Sequence, residues 1–404
     1  MNPPYRVACI VTHPIQYQAP MFRYLAASSE IDLTVFFLSD LSIREYRDRG
    51  FGVAVKWDVP LLEGYRSEFL PAFGARDTLS FWRPFSHSLS RRLAAGRFDA
   101  LWVHGYAHQA LIRAIGAARA LGIKVLLRGE SHLGSESARP LRHVLKRIMI
   151  PRLFGRIDGF LTIGQRNREY YRAYGVPEAR LFAMPYAVDN DFFRGRAAAA
   201  RGTREELRAE LGLAPGRPIV LFASKLQRRK RARDLLEAHA QILAGTADAP
   251  LPYLLIVGDG EERAPLERRA REIAPDSVRF AGFRNQTEMP RFYDLCDVFV
   301  LPSEAEPWGL VINEVMNAAK PVIVSDQVGA APDLVADGVS GVVYPAGGVA
   351  ALARCIQRVL ASPEHGAAMG ARGLEIVSRY SLEADRAGLV AALAAVTTRG
   401  ACRA

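Results

Sequence analysis

Cysteine is scarce in this chain, and long apolar runs are absent. The four cysteines among 404 residues, Cys9, Cys296, Cys355 and Cys402, are far apart and lack the spacing of a metal site. We therefore expect a reduced, cytoplasmic protein with incidental thiols. No stretch reaches the ~18 consecutive apolar residues that a membrane-spanning helix needs, and the apolar run in the opening MNPPYRVACIVTHP is short and alternates like a strand. These absences favour a soluble or peripherally bound protein.

Acidic residues are outnumbered by basic ones. The chain has 53 Lys and Arg against 42 Asp and Glu, a formal net charge of +11. This balance favours an anionic partner: a nucleotide, a phospholipid surface or a nucleic acid. Charge alone does not choose among them, but the chain has no aromatic-plus-basic strand pattern and no recognised nucleic-acid motif. We therefore expect no nucleic-acid partner.

Short β-branched runs alternate with longer helical patterns, which is typical of parallel sheets with crossover helices. The length predicts two domains of roughly 200 residues. An Ala-, Arg- and Gly-rich stretch (187–218) interrupts the alternation and predicts a linker, followed by a helix with Thr203 as its N-cap. The predicted strands are 6–12, 31–38, 99–104, 123–128 and 159–163 before it, and 217–223, 252–258, 277–282, 297–302, 320–325 and 341–345 after it.

We place a domain boundary near residue 195. The prediction is an α/β protein with two Rossmann-like domains, 1–195 and 196–380, whose parallel sheets face each other across a cleft. The last helix, in 381–404, is expected to pack back on the first domain. Ligands of open α/β sheets bind beyond the carboxyl ends of the strands. Residues directly after strands are therefore the candidates for a site.

The most informative stretch is 299–342. After the strand at 297–302, Gly309 opens a predicted helix, whose unpaired N–H groups suit a phosphate. Gly309 has no side chain to keep a diphosphate away from that backbone. Glu314, one turn into the helix, is placed to accept hydrogen bonds from ribose hydroxyls.

These residues carry a family resemblance. The segment EPWGLVINE, in which Glu306 and Glu314 flank seven residues, is followed by KPVIVS and DGVSG and resembles the retaining glycosyltransferases of family 4, which are GT-B enzymes. The segments that extend the resemblance are GVPEARLFAMPYAVD (175–189), ASKLQRRK (223–230), VGDG (257–260) and FAGF (280–283). Four residues depart from it: Lys225 stands at the usual Arg position, Arg231 and Ala319 stand where the family often has glycine, and Asp333 stands where Glu is common.

The resemblance implies roles for individual residues. Lys225 and Lys230 would stabilise the leaving nucleoside diphosphate, since fixed cations stabilise charge that develops in a transition state. Glu306 would lie near the donor sugar and Glu314 near the ribose. The further donor contacts that we predict are Gly258, Trp308, Gly309 and Leu310. The donor would be a UDP- or GDP-type sugar, and we expect no cofactor and no metal.

The first domain is expected to hold the acceptor, a sugar, a glycan or a lipid-linked hydroxyl. His13 and Gln16 lie in THPIQYQAP (12–20), a loop without the glycines that many family members have there. The other candidates lie at or just after the ends of predicted strands: His104 and Glu130 for catalysis, His132 beside the acceptor, and Arg128 to pair with an acceptor carboxylate or phosphate.

Each feature also has a plainer interpretation. The basic run KLQRRKR is compatible with a solvated face, VGDG with a simple turn, and His104 and His132 with structural histidines. VDND (188–191) imitates a metal motif, but its place at the linker favours helix capping. The segment 139–156 is rich in Arg, Lys and apolar residues, which suits either an anionic membrane surface or a helix packed on its own sheet.

The prediction is a metal-independent, retaining hexosyltransferase that acts in polysaccharide or cell-envelope synthesis. A nucleotide-sugar epimerase on the same fold is the first alternative. A non-enzymatic nucleic-acid binder is the second.

Overall fold

Apolar runs become buried strands, and amphipathic segments become the helices that cover them. The computed structural model describes residues 3–73, 79–86, 88–135, 140–245 and 251–397. The strands are β1 Tyr5–Val11, β2 Ile31–Phe37, β3 Tyr46–Arg47, β4 Ala54–Val55, β5 Arg66–Phe69, β6 Ala100–His104, β7 Lys124–Arg128, β8 Gly159–Thr162, β9 Leu181–Ala183, β10 Ile219–Ala223, β11 Tyr253–Val257, β12 Val278–Gly282, β13 Val298–Leu301, β14 Val322–Ser325 and β15 Gly341–Tyr344.

Helices occupy most of the segments between these strands. They are α1 Ala19–Ala26, α2 Leu89–Gly96, α3 Gln109–Ala120, α4 Pro140–Phe154, α5 Gln165–Ala173, α6 Asn190–Ala200, α7 Arg204–Glu210, α8 Ala232–Gly245, α9 Arg263–Ile273, α10 Met289–Leu295, α11 Leu310–Met316, α12 Ala331–Leu334, α13 Val349–Leu360, α14 Pro363–Val377 and α15 Leu382–Val396.

The chain divides into two compact units. The first contains the chain up to Tyr46, Val59–Val188 and the residues from Ser381 onward, and the second contains Arg47–Asp58 and Asp189–Tyr380. The assignment of Arg47–Asp58 to the second unit was not predicted from the sequence.

The first unit is built on a seven-stranded sheet in the order β5-β2-β1-β6-β7-β8-β9. Its strand pairs are parallel. Alternate residues of β1 enter two different cores: Ala8 and Ile10 face the core that contains α3, while Val7 and Cys9 face the core that contains α1 and α15. A sheet buried on both faces explains why its strands read as continuous apolar runs.

The second unit is built on a six-stranded sheet in the order β12-β11-β10-β13-β14-β15, again with parallel pairs. β10 lies at the centre between β11 and β13. The carboxyl ends of these three adjacent strands therefore bring together the loops that begin at Ser224, Gly258 and Pro302.

All the predicted strands are present, with ends that differ by up to two residues from the prediction. The short strands β3, β4, β5 and β9 were missed. β5 is a half-exposed edge strand of sequence RSEF, so it lacks the apolar run that marked the central strands. The parallel sheets and alternating helices confirm the predicted α/β class.

The chain passes from the first unit to the second between Val188 and Asp189, inside the stretch 187–218 predicted as a linker, but Asn190–Ala200 of that stretch form the helix α6. Asp189 caps α6, with its side chain accepting a hydrogen bond from Phe192 N at 3.0 Å. This confirms the capping interpretation of VDND. Thr203 does precede α7, but its hydroxyl donates to Ala200 O and caps no amide of α7, since a 3-10 turn ends there.

Candidate functional site

The strongest cluster lies in the second unit, where Lys230 pairs with Glu306. The loop after β10 carries Lys230 and the loop after β13 carries Glu306, and both residues are over nine-tenths buried. Lys230 Nζ donates to Glu306 Oε2 in a direct ion pair. Burial lowers the pKa of Lys230, Glu306 opposes that shift, and the nearby cations Arg229 and Lys225 add to it. The two lysines therefore act on each other electrostatically.

Lys225 has a different carboxylate partner. Its Nζ donates to Asp48 Oδ1 at 2.8 Å and to Oδ2 at 3.0 Å, and it lies 4.7 Å from the centre of the Phe51 ring. Burial alone would raise the pKa of Asp48, but hydrogen bonds from Lys225 and from the Phe51 and Gly50 amides hold it below its usual range. Asp48 is therefore an anion at neutral pH, and Lys225 keeps about a third of its side chain exposed.

The loops that carry Lys230 and Glu306 are fastened to each other. Glu304 N donates to Arg229 O at 2.9 Å, and Arg229 Nη1 donates to Ala305 O at 2.9 Å. Arg231 adds ion pairs of 2.7 Å with Glu304 and Asp234. These contacts hold the two loops together and so limit the movement of Lys230 and Glu306.

Glu314, on α11, is held by Tyr293 of α10. The Tyr293 hydroxyl donates to Glu314 Oε2 at 2.5 Å, and the tyrosine itself is buried. Burial raises the pKa of Glu314 to about 7, and the hydrogen bond from Tyr293 acts in the opposite direction. This carboxyl group therefore changes charge near neutral pH.

The three predicted donor contacts at the start of α11, Trp308, Gly309 and Leu310, have different surroundings. Gly309 has a φ of +99°, and a Cβ added to it would lie 3.1–3.3 Å from the Leu301, Glu306 and Val328 side chains. Trp308 is buried, with Nε1 donating to Asn313 Oδ1 at 2.9 Å. The structure thus gives the indole of Trp308 an internal partner, whereas Leu310 stays half-buried.

Gly258 follows β11 and has a φ of +132°. A Cβ at this position would come within 2.0 Å of the Ser224 carbonyl oxygen, so the loop before Lys225 passes too close for any side chain. This close approach explains the glycine without a ligand. Its predicted donor contact stays a prediction.

In the first unit, the candidates lie at or just beyond the carboxyl ends of β1, β6 and β7, which are adjacent in the sheet. His13 is half-buried with Nδ1 2.9 Å from Thr12 Oγ1, and Gln16 is also half-buried. Burial, with a smaller effect of Arg128, lowers the pKa of His104 to about 3, so this ring is neutral at physiological pH. Gln18 Nε2 donates to His104 Nε2 at 2.9 Å.

Arg128 lies in the interior of the first unit, only 1% exposed. Its Nη2 donates to Pro185 O at 2.9 Å and to Asp385 of α15 at 3.2 Å. These internal partners tie β7 to α15 and take up the guanidinium. This placement disfavours the predicted pairing of Arg128 with an acceptor anion.

Glu130 is half-buried and accepts a 2.5 Å hydrogen bond from the Tyr186 hydroxyl. Burial and the charge of Glu130 raise the pKa of Tyr186 well above 10, so the phenol keeps its proton and remains a donor. His132, two residues after Glu130, is buried. The tyrosine fixes one oxygen of Glu130.

The basic segment at 139–156 contains α4. Ile150 and Phe154 enter the core, whereas Val144, Ile148 and Met149 are 53%, 49% and 64% exposed. No described helix is long and apolar enough to cross a membrane, and within the described residues no group of three or more His, Cys, Asp and Glu is placed to hold a metal ion. Outside the described residues lie Cys402, Arg139 and the side chains of Leu141, Arg142 and Leu145.

Sequence reasoning missed the partners of the candidate residues. Asp48 lies 177 residues before Lys225, in a loop with no recognisable motif. Tyr293 precedes Glu314 by 21 residues and is on another helix. Of these partners, only Tyr186 lies in a segment that the sequence analysis singled out, MPYAVD (184–189), which leads into the second unit.

Two family models match the chain, one in each half. Residues 203–375 match the model described as glycosyl transferases group 1, and residues 16–187 match a glycosyl transferase 4-like domain. Among solved structures, the chain is similar to the Anabaena protein HepE in complex with UDP (TM-score 0.75, 18% identity, 96% and 99% of the two chains). It is also similar to sucrose-phosphate synthase from Thermosynechococcus elongatus (TM-score 0.71, 22% identity, 95% and 97%). At these identities the similarity concerns the fold alone.

Curated relatives are more similar in sequence. The alpha-D-kanosaminyltransferase of Streptomyces kanamyceticus is 31% identical over 55% of this chain and 57% of its own length. The D-inositol 3-phosphate glycosyltransferase of Segniliparus rotundus is 32% identical over 56% and 50%. The chain thus spans about half the length of these relatives. A GDP-mannose-dependent alpha-(1-6)-phosphatidylinositol monomannoside mannosyltransferase of Mycobacterium tuberculosis is 31% identical over 72% of this chain and 74% of its own length. The chain therefore belongs to the group 1, family 4 glycosyltransferases and has their GT-B fold.

Proposed function

We propose that this protein transfers a glycosyl group from a nucleoside diphosphate sugar to a hydroxyl group of an acceptor. The observation that carries the proposal is the buried Lys230–Glu306 pair beside Lys225, at the carboxyl ends of the central strands of the second unit. Ligands of open α/β sheets bind at such positions. The donor would lie in the second unit.

The chemistry follows from the charges. The bond between the sugar's anomeric carbon and the diphosphate oxygen breaks, and the diphosphate gains negative charge as it leaves. Lys225 and Lys230 would stabilise that charge, each contributing about 2–4 kcal/mol, by analogy with the loss of a single donor in other enzymes. The acceptor oxygen bonds to the anomeric carbon, and its proton leaves with the diphosphate or on a base.

Glu306 and Glu314 would contact two different parts of the donor, the sugar and the ribose. Glu306 is held against Lys230, so it would face the sugar next to the cleaved bond. Glu314, fixed by Tyr293, would accept hydrogen bonds from the ribose hydroxyls. Glu130 and His104 remain our candidates for groups that meet the acceptor in the first unit.

A binding screen tests the donor. Thermal shift would be measured with UDP, GDP, ADP and CMP, without added metal, on the wild type and on Glu314→Ala. We expect one nucleoside diphosphate to stabilise the wild type and to stabilise Glu314→Ala less. No response to any nucleotide would contradict the proposed donor site, and salt-sensitive DNA binding in its place would favour the nucleic-acid alternative.

Stereochemistry and metal dependence need separate assays. We propose retention of the anomeric configuration, which proton NMR of the product reads directly, and an inverted product would refute it. Because two lysines supply the positive charge at the diphosphate, we propose that no metal is needed. Activity would then be unchanged in EDTA, whereas its abolition would overturn this part.

The acceptor is proposed only as a class. The names of the relatives describe a kanosaminyltransferase, a glycosyltransferase for D-inositol 3-phosphate and a mannosyltransferase for phosphatidylinositol monomannoside. A small cyclitol, a sugar and a glycolipid are therefore the first acceptors to assay. Product that forms only when an acceptor is added would support a transferase. Conversion of the sugar nucleotide alone to an isomer would favour an epimerase.

We also propose peripheral contact with anionic membranes through α4. Its exposed Val144, Ile148 and Met149 lie beside exposed Arg147 and Arg152, a combination that suits the interface of a negatively charged bilayer. Sedimentation with vesicles containing phosphatidylglycerol at low salt should recover the protein. Absence of binding there would exclude the idea, and Ile148→Ser with Met149→Ser should weaken any binding observed.

A further inference from the structure

The segment Arg47–Asp58 belongs to the second unit and is fastened to it at several points. Asn285 Nδ2 donates to Lys56 O at 2.6 Å, and Thr287 N donates to Asp58 at 3.2 Å. The rings of Phe51 and Phe283 lie 4.9 Å apart in an edge-to-face contact. The segment is therefore anchored on the loop that follows β12, close to the candidate donor site.

Within this segment, a tight turn aims one carboxylate at Lys225. Asp48 N donates to Val53 O at 3.0 Å, and Gly52 N donates to Asp48 O at 2.7 Å. The side-chain oxygen Oδ1 accepts from Gly50 N at 2.8 Å and from Phe51 N at 2.9 Å. Since these backbone groups fix the carboxylate, its position does not depend on Lys225.

Space around the lysine is shaped by the same turn. A Cβ on Gly50 would lie 2.6 Å from Lys225 Cδ, and a Cβ on Gly260 would lie 2.9 Å from Gly50 O. The turn, Lys225 and the loop after β11 are thus packed without room for another side chain. On its open side Lys225 keeps 35% of its side chain exposed, so an anion can reach the ammonium group.

We propose that Asp48 is a built-in counter-ion of Lys225, and that it competes with the diphosphate of the donor for this lysine. The inference rests on the proposed function, because it takes Lys225 to be a diphosphate-binding cation. With Asp48 in place, the bound diphosphate shares Lys225 with a fixed negative charge. Asp48 therefore weakens nucleoside diphosphate binding and speeds release of the nucleoside diphosphate product.

The alternative is that Asp48 helps binding by holding Lys225 in place. The two ideas predict opposite signs. If Asp48 competes, Asp48→Asn tightens binding, because the amide oxygen keeps the two backbone hydrogen bonds while the charge is gone. If Asp48 only positions the lysine, the same substitution weakens binding.

The test is calorimetric titration of UDP and of GDP into the full chain, wild type and Asp48→Asn, at 20 mM and 300 mM NaCl. Removing one negative charge next to a diphosphate should tighten binding about fivefold at low salt, and less at high salt. Uridine and guanosine, which carry no phosphate, should bind both proteins equally. Asp58→Asn is the matched control, since it removes a charge from the same segment at a residue bonded to Thr287, and it should change affinity less than twofold.

Unchanged or weaker nucleoside diphosphate binding by Asp48→Asn would overturn the inference and leave the proposed function intact. No nucleotide binding by either protein would overturn both. Should Asp48→Asn fail to fold, as judged by circular dichroism, Asp48→Ser carries the same test, because its hydroxyl oxygen also accepts from the turn amides.

Discussion

Nucleotide binding is predicted to strengthen as the pH rises through about 7, because Glu314 changes charge there. Burial raises the pKa of this carboxyl to about 7. Below that pH Glu314 is protonated, and its neutral group accepts weaker hydrogen bonds from the ribose hydroxyls than the carboxylate does. The difference between a charge-assisted and a neutral hydrogen bond is about 1 kcal/mol. The affinity for a nucleoside diphosphate should therefore be about fivefold lower at pH 6 than at pH 8.

The assay is calorimetric titration of UDP and GDP between pH 6 and pH 8.5. The terminal phosphate of the nucleotide also titrates in this range, so a control is needed that lacks only the protein's carboxyl. Glu314→Gln provides it, because glutamine has nearly the same shape and does not titrate. The ratio of wild-type to Glu314→Gln affinity isolates the contribution of Glu314.

A second variant tests the cause of the pKa. Tyr293→Phe removes the hydrogen bond that favours the charged form of Glu314, so the midpoint should move upward by about one pH unit. A ratio of wild-type to Glu314→Gln affinity that stays flat from pH 6 to pH 8.5 would refute the reasoning for Glu314. An unmoved midpoint in Tyr293→Phe would refute the role of the tyrosine.

Three further substitutions separate catalysis from stability. Lys230→Met removes the cation that would stabilise the leaving diphosphate, and it leaves Glu306 without its ion-pair partner. The value of kcat/KM for sugar transfer should therefore fall about 100-fold or more. A decrease of less than about tenfold would contradict the role of Lys230 in catalysis. Ala319 has a φ of +54°, a conformation that costs an L-residue about 1–2 kcal/mol. Ala319→Gly should therefore raise the melting temperature by about 2 °C. A lower melting temperature would contradict the idea that Ala319 is strained. Arg128→Met removes a buried donor from Pro185 O and from Asp385, whose pKa burial raises to about 7. It should therefore cost about 1–3 kcal/mol of stability, measured by urea unfolding. A variant as stable as the wild type but defective only with charged acceptors would restore the acceptor role.

The central strands could be predicted because both faces of each sheet are buried. A strand such as β10, IVLFA, is apolar at every position and stands out from its surroundings. The edge strand β5 has only one side to pair and a polar sequence, so the same criterion missed it. Helix α6 was missed because its Ala- and Arg-rich sequence has no strong apolar stripe, although Asp189 caps it.

The candidate site could be predicted only in part, because its chemistry was visible and its partners were not. Lys225, Lys230, Glu306 and Glu314 were identified through the family resemblance of their motifs, whereas only the fold brings Asp48 to Lys225. The structure also explains one departure from the family pattern. Arg231 stands where the family often has glycine and adopts a φ of +51°, while its guanidinium bridges the two site loops. A side chain is thus retained at a position where the backbone favours glycine.

Hydrogen exchange with mass spectrometry, with and without saturating UDP or GDP, tests the central claim most directly. If the donor nucleotide binds the second unit through the loops after β10 and β13, exchange should slow in peptides covering 224–231 and 303–314. Peptides from α13 and α14 should change little. Nucleotide binding that leaves both loops at their ligand-free exchange rates would contradict the account.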